Sequence, residues 1–361
     1  MKRKRSVRRH RLVPFLLSAF LLACAPRLGA EPEAPVVVSD GWLAMGTFFE
    51  ADLRVLPADV PRARAWLEWA RGELARLEAI FSRHDPESAL SQLNRELAGE
   101  AVVRKGTPLA PELEAILESA GAVWSVSGGA FDVTVGPLID VWNEAADRGH
   151  WPSRERLATA RRLVGGEKLS LSVRGSDRGS GRRKLIAAMP GLRIDLDGIS
   201  KGAVLDRLRE RFERELPETA ALLSLGESSV VAIGDPGGGG WRLVARSRDP
   251  AHADLATIRL RDRALSVSSS VGSVRRIGNR RVSHVVDPRT GTAIEGTVEA
   301  IVIANRAERA DAWSTALLVL GANPEAIGLV EQAGLAALVV DSSGHSAATR
   351  DWEEVARGAR R

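Results

Sequence analysis

Lys201 stands in residues 193–206, RIDLDGISKGAVLD, a stretch that reads as a strand turning at Gly198 into a helix. Ile194, Leu196 and Ile199 form the strand's apolar set, with Asp195 and Asp197 on the opposite face. From Ser200 onward Val204, Leu205, Leu208 and Phe212 recur at helical spacing. A helix N-terminus presents unpaired N–H groups and a partial positive charge, and a lysine there adds a full one. Together they outline an anion site. Only 6 of the 51 basic residues are lysine, so an ammonium at 201 departs from the arginine that this chain uses elsewhere. The same residues also read as a strand end followed by a solvated first-turn lysine.

Two further stretches carry reactive groups. His284 opens HVVDPRTG, where a strand runs into a turn made by Pro288 and Gly291, and an imidazole there can exchange protons near neutral pH. The other reading is a packed strand histidine with Asp287 capping the turn. In Ala310-Asp311-Ala312-Trp313-Ser314-Thr315, Asp311 and Thr315 share a helix face. Two hard oxygens without a His or Cys partner suit Mg²⁺, although such a pair is also common on solvent-facing helices.

The chain that must position these groups begins with a leader. Seven basic residues precede an apolar run, residues 12–23, too short to span a bilayer. The run ends in Leu21-Leu22-Ala23-Cys24, which looks like a bacterial lipobox and implies cleavage before Cys24 and a lipid on it. The other reading is an ordinary signal peptide, and Arg8-Arg9 points weakly to twin-arginine export. Loss of residues 1–23 turns the formal charge from +5 to −2, so the basic balance belongs to the leader and gives no support to nucleic acid as a partner. Cys24 is the only cysteine, which excludes an internal disulfide and a thiol nucleophile from the mature fold. The expected organisation is a signal peptide over 1–23, a tether over 24–40, a domain over 41–345 and a frayed tail over 346–361.

Within the domain, residues 41–55 read as strand and residues 62–81 as an amphipathic helix with Trp66, Ala70, Leu74, Leu77 and Phe81 along its inner stripe. Shorter helices follow near residues 88–94, 112–127 and 154–164, and Pro137 interrupts the apolar run 130–142. Residues 175–183 read as a loop. Past residue 220 the chain is strand-rich, then alternates strand and helix: strand 298–304, helices 308–320 and 324–333, strand 335–341. Residues 235–240, DPGGGG, lack the spacing of a dinucleotide fingerprint.

Met45-Gly46-Thr47, SALSQLN at 88–94, FDVTVGPL at 131–138 with Trp142, residues 195–202, 284–291 and 310–315 together resemble, in order and spacing, the ApbE family of FAD:protein FMN transferases. The resemblance covers residues 41–341. It implies an α+β fold of mixed and antiparallel sheets with packed helices, in two lobes around an FAD cleft. It further implies an extracytoplasmic enzyme, and with the lipobox at Cys24 the expected location is a membrane-anchored lipoprotein on the periplasmic side. Such an enzyme uses FAD as substrate and Mg²⁺, transfers FMN through a phosphoester to a Thr or Ser hydroxyl of a partner redox protein, and releases AMP. Two neighbouring readings are an FAD pyrophosphatase giving FMN and AMP, and a non-catalytic flavin-binding lipoprotein.

Carried onto this chain, the resemblance implies FAD contacts at Met45, His84, Asn94, Ala130, Phe131, Asp132, Asp195, Lys201 and the backbone of Val285. It implies metal ligation by Asp311, Thr315 and the Gly198 carbonyl, and it gives His284 and Asp311 the catalytic roles. The chain departs from the family pattern in three places. His84 replaces a tyrosine, in a protein with no tyrosine at all. Leu225-Gly226-Glu227-Ser228 replaces a Gly-Gly pair and brings in a carboxylate. Val267-Ser268-Ser269-Ser270 replaces a Thr-Ser-Gly motif. Residues 346–349, SAAT, faintly resemble the acceptor sequence and raise self-labelling of Thr349.

Overall fold

Thr297–Ala304 is buried along its whole length, which marks a strand covered on both faces. It lies inside an eight-stranded sheet in which every neighbouring pair is antiparallel. The order is Val36–Ala44, Thr47–Val55, Ala220–Leu225, Ser229–Ile233, Arg263–Ser269, Thr297–Ala304, Ala336–Asp341 and Ser346–Ala348. The computed structural model describes residues 33–172, 183–249 and 254–357. The leader, Cys24 and most of the expected loop at 175–183 lie outside them.

Helices Val60–Phe81, Ser200–Glu215 and Ala307–Leu320 join the principal core with one face of the sheet. The other face packs Trp241, Ile258, Leu260 and Trp352 in a second cluster. Helix Val60–Phe81 buries the expected stripe of Trp66, Ala70, Leu74, Leu77 and Phe81. The fold is thus mixed α+β, with antiparallel sheets and packed helices.

Four local expectations change, each for a definable reason. Residues 41–55 are two strands, because Met45 and Gly46 both take positive φ, 51° and 68°, and close a two-residue hairpin turn. Residues 193–197 form no strand. The Asn94 carboxamide accepts from the Ile194 N–H (2.7 Å) and donates to its carbonyl (2.9 Å), while the Asp195 N–H donates to the Val133 carbonyl (2.7 Å). These bonds replace a ladder, and Ile194, Asp195 and Leu196 are all buried, so the expected alternation fails.

Pro137 starts a helix, Gly136–Arg148, where its missing N–H costs nothing. Finally, the ends of the domain extend past the expected bounds. Val36–Ala44 reaches into the expected tether, Ser346–Ala348 pairs with Ala336–Asp341, and Trp352 and Val355 are buried.

Candidate active site

Two helices that start beside each other build the centre of the site. Gly202 lies so close to the next helix that a Cβ there would sit 2.3 Å from the Ala307 carbonyl oxygen, so no larger residue fits. Asp206, one turn later, accepts the N–H groups of Ala307 (2.9 Å) and Glu308 (3.0 Å), satisfying the orphan donors at the start of Ala307–Leu320. In return, the Asp311 Oδ2 of that helix accepts the Gly202 N–H at 3.1 Å. Burial raises the Asp206 pKa to about 6, against the pull of these hydrogen bonds.

This interlock brings the sequence motifs to one cavity of about 620 Å³. Ala130, Phe131, Asp132, Asp195, Gly198, Lys201, His284, Val285, Asp311 and Thr315 all line it. A Cβ on Gly198 would lie 3.1 Å from the Thr315 hydroxyl oxygen. Met45 sits instead at the hairpin tip, whose Thr47 abuts Gly226 on the cavity wall. His84 and Asn94 line a second cavity of about 800 Å³. Arg83 is the one described residue on both walls.

Asp311, Thr315 and Gly198 offer a carboxylate, a hydroxyl and a carbonyl. In a continuing helix the Gly202 N–H would bond the Gly198 carbonyl; here it goes to Asp311. The Asp311 Oδ1 accepts from the Ser266 hydroxyl at 3.3 Å, and each carboxylate oxygen keeps a second lone pair. This all-oxygen set fits Mg²⁺ with water and phosphate completing its shell. Among the described residues, no group of three or more His, Cys, Asp or Glu side chains could hold a metal.

The anion site of the sequence reading changes in kind. The Ser200 N–H is taken by the Leu196 carbonyl (2.9 Å) and the Gly202 N–H by Asp311, so the helix end offers little free backbone. The charge comes from Lys201, whose ammonium has only the Asp197 carbonyl, at 3.4 Å, as a hydrogen-bond partner among the described residues.

Asp195 is nearly enclosed, and its Oδ2 accepts no hydrogen bond. The Arg83 Nε lies 3.2 Å from that oxygen but donates its single proton to Asp197 at 2.9 Å. Burial, reinforced by Asp197 and opposed by Arg83, pushes the Asp195 carboxyl up to about 6. Asp132 is also raised by burial, and its carboxylate is occupied by Thr134 and the Gly166 N–H.

His284 follows the hairpin of Val274–Ile277 and Arg280–Ser283. Ile277, Val282 and Val286 pack this hairpin on Leu138, Trp142 and Ala145 of the Pro137 helix, and the Trp142 indole donates to the Gly291 carbonyl at 3.0 Å. His284 Nδ1 sits 2.5 Å from the Ser273 carbonyl, which can only accept, so Nδ1 carries the proton and Nε2 the lone pair. The ring opens to the cavity between close walls. That enclosure, with Arg275 and Lys201 nearby, lowers its pKa despite the Ser273 carbonyl. The backbone of Val285 is engaged, its N–H by the Ser283 hydroxyl (3.1 Å) and its carbonyl by the Ile294 N–H (3.1 Å).

Two of the departures from the family pattern have a definable local setting. Glu227 takes a positive φ of 57° and points its carboxylate to solvent, 3.7 Å from Arg248, while Gly226 and Ser228 face the cavity. Ser268 and Ser314 share a hydrogen bond of 2.7 Å on the wall behind Asp311. Thr349 is buried with its hydroxyl accepting the Ala337 N–H at 3.1 Å, which removes it as an acceptor. Sequence reasoning missed Arg83, Arg248 and Arg275; in a chain so rich in arginine, nothing in their spacing separates them from surface charge.

Comparison with known proteins bears on the family and the fold. The ApbE family profile matches residues 45–339. The FAD:protein FMN transferase of Salmonella typhimurium is 30% identical over 343 residues, covering 91% of each chain, and that of Klebsiella pneumoniae is 29% identical over 342 residues, covering 91% of this chain and 93% of the other. Among solved structures, the flavinyl transferase ApbE of Pseudomonas stutzeri superposes with a TM-score of 0.74 at 24% identity, over 92% of this chain and all of that one. The ApbE protein of Thermotoga maritima gives 0.76 at 23% identity, over 89% and 99%. By sequence and by architecture, the chain belongs to the ApbE family.

Proposed function

We propose that the protein is an FAD:protein FMN transferase that uses Mg²⁺ and modifies a Thr or Ser hydroxyl of a partner redox protein. The observation that carries the reading is the convergence of His284, Lys201 and the Gly198–Asp311–Thr315 oxygens on one cavity. Attack at a phosphorus of the FAD diphosphate requires a positioned base and positive charge against the ester oxygens. A bound Mg²⁺ would neutralise charge on the diphosphate. Lys201 adds a fixed ammonium.

His284 Nε2 takes the proton of the acceptor hydroxyl, whose oxygen bonds to the phosphorus of the FMN half. The bond from that phosphorus to the AMP oxygen breaks, and AMP leaves. The product is FMN in phosphoester linkage to the acceptor. Phe131 and Val285, on the same wall, offer apolar surface to the ligand's rings.

Purified protein incubated with FAD and Mg²⁺, with and without an acceptor domain, tests the reading through AMP release. Release that requires the acceptor, with a mass gain on it equal to FMN, is the expected result. Equal release without an acceptor would instead identify a pyrophosphatase, and intact FAD under both conditions a flavin carrier.

The lipobox ending at Cys24 supports a lipid anchor and an extracytoplasmic site of action on the periplasmic side. Cys24→Ser is then expected to abolish incorporation of labelled fatty acid into the protein. A variant that still takes up the label would rule out Cys24 as the lipid site.

A further inference from the structure

Arg275 is a cation in the cavity wall to which the reading above gives no task. Its Nε donates to the Asn143 Oδ1 at 2.7 Å and its Nη1 to the Ser283 carbonyl at 3.1 Å. Both acceptors are neutral. Among the described residues, no carboxylate lies within ion-pair distance of Arg275, and Nη2 donates to none of them. Arg83, on the same cavity, has Asp195 and Asp197 beside it, and Arg248 has Glu227.

A half-buried guanidinium without an anion is costly to hold. Burial, and then repulsion from Arg83, lower the Arg275 pKa against the more distant attraction of Asp195, which makes no ion pair with it. The fold nevertheless braces it twice. Asn143 belongs to the Pro137 helix, and the hairpin carrying Arg275 is packed on that helix through Ile277 and Val282. A planar fork fixed by neutral groups, with donors left over, matches the paired oxygens of a phosphate.

We infer that Arg275 binds the non-bridging oxygens of the flavin-side phosphate, the group that His284 delivers the acceptor hydroxyl to. The assignment to that phosphate follows from Ser283, which Arg275 holds by its carbonyl and which directly precedes His284. The base and the guanidinium are thereby tied to one piece of backbone and serve one phosphorus. This inference rests on the FMN transfer reading. It adds a residue that both binds the transferred group and stabilises charge on it.

The test is equilibrium binding of FMN and of AMP, each titrated separately into wild type, Arg275→Gln and Arg275→Lys. Near-ultraviolet circular dichroism of the nine tryptophans checks the fold of each variant. Arg275→Gln is expected to weaken FMN binding by about 10- to 150-fold, the range for a lost charge-assisted hydrogen bond. AMP binding should stay within about twofold of wild type, and Arg275→Lys should recover part of the FMN loss because it keeps the charge without the fork. In turnover, kcat should fall by a larger factor than KM rises.

Folded Arg275→Gln protein that binds FMN as wild type does would overturn the inference. So would an AMP loss as large as the FMN loss, or wild type that binds FAD and not FMN. If wild type binds FAD yet transfers nothing to any acceptor, the transfer reading fails, while the FMN and AMP comparison still decides whether Arg275 holds the flavin-side phosphate.

Discussion

His284→Ala is expected to retain FAD and to lose FMN transfer by about 10²- to 10⁴-fold, the usual worth of a positioned general base. The side chain faces the cavity and donates from Nδ1 to the Ser273 carbonyl, so its removal takes away the free Nε2 lone pair without unpairing a donor. The pH profile supplies a second readout. The ring must be neutral to accept a proton, and its enclosure lowers its pKa from that of an ordinary histidine, so the acid limb of wild-type transfer is expected to lie below the range in which a free imidazole titrates. The acid limb should vanish in His284→Ala, and a variant that labels its acceptor at the wild-type rate would sink the assignment.

The second large effect belongs to Asp311. Asp311→Asn is expected to lower turnover by at least about 10²- to 10³-fold and to leave the residual rate insensitive to added Mg²⁺. The carboxylate accepts from the Gly202 N–H and the Ser266 hydroxyl, so an amide that keeps the Gly202 bond turns its NH2 to the Ser266 oxygen and leaves the Ser266 proton without its acceptor. Some loss of stability should accompany the change, on the order of 1–3 kcal/mol for a buried polar group left unpaired. A thermal melt separates the two effects. Wild-type Mg²⁺ dependence in a folded Asp311→Asn protein would remove this residue from the metal site.

The candidate site residues could be singled out because each stands in a local pattern. Lys201 follows a Gly-bearing turn, His284 precedes Asp287-Pro288, and Asp311 and Thr315 share a helix face. The helix stripe of Trp66 to Phe81 was readable for the same reason: its period is a property of one element. What local pattern could not supply is the identity of distant partners. Residues 193–197 look like a strand until Asn94 and Val133 claim their backbone groups. The free N–H groups expected at the Lys201 helix are consumed by a carbonyl beside them and by Asp311.

The same limit explains Arg83 and Arg275. An arginine becomes distinctive only through the company it keeps in space, two carboxylates for the first and two neutral oxygens for the second. Glu227 shows the reverse case. The sequence shows that it brings a carboxylate into this stretch but not where the carboxylate points, and one left-handed backbone angle turns it to solvent.

The joints of the site are side chains that clasp backbone across long sequence separations: Asn94 to Ile194 over 100 residues, Asp206 to Ala307 over 101, Asp311 to Gly202 over 109. Loops of that size close slowly, and none of these clasps is worth its entropy until the surrounding elements have docked. No excised fragment can therefore reproduce the pocket. FAD binding is expected to report on the completeness of the fold, with both sides of each clasp in place.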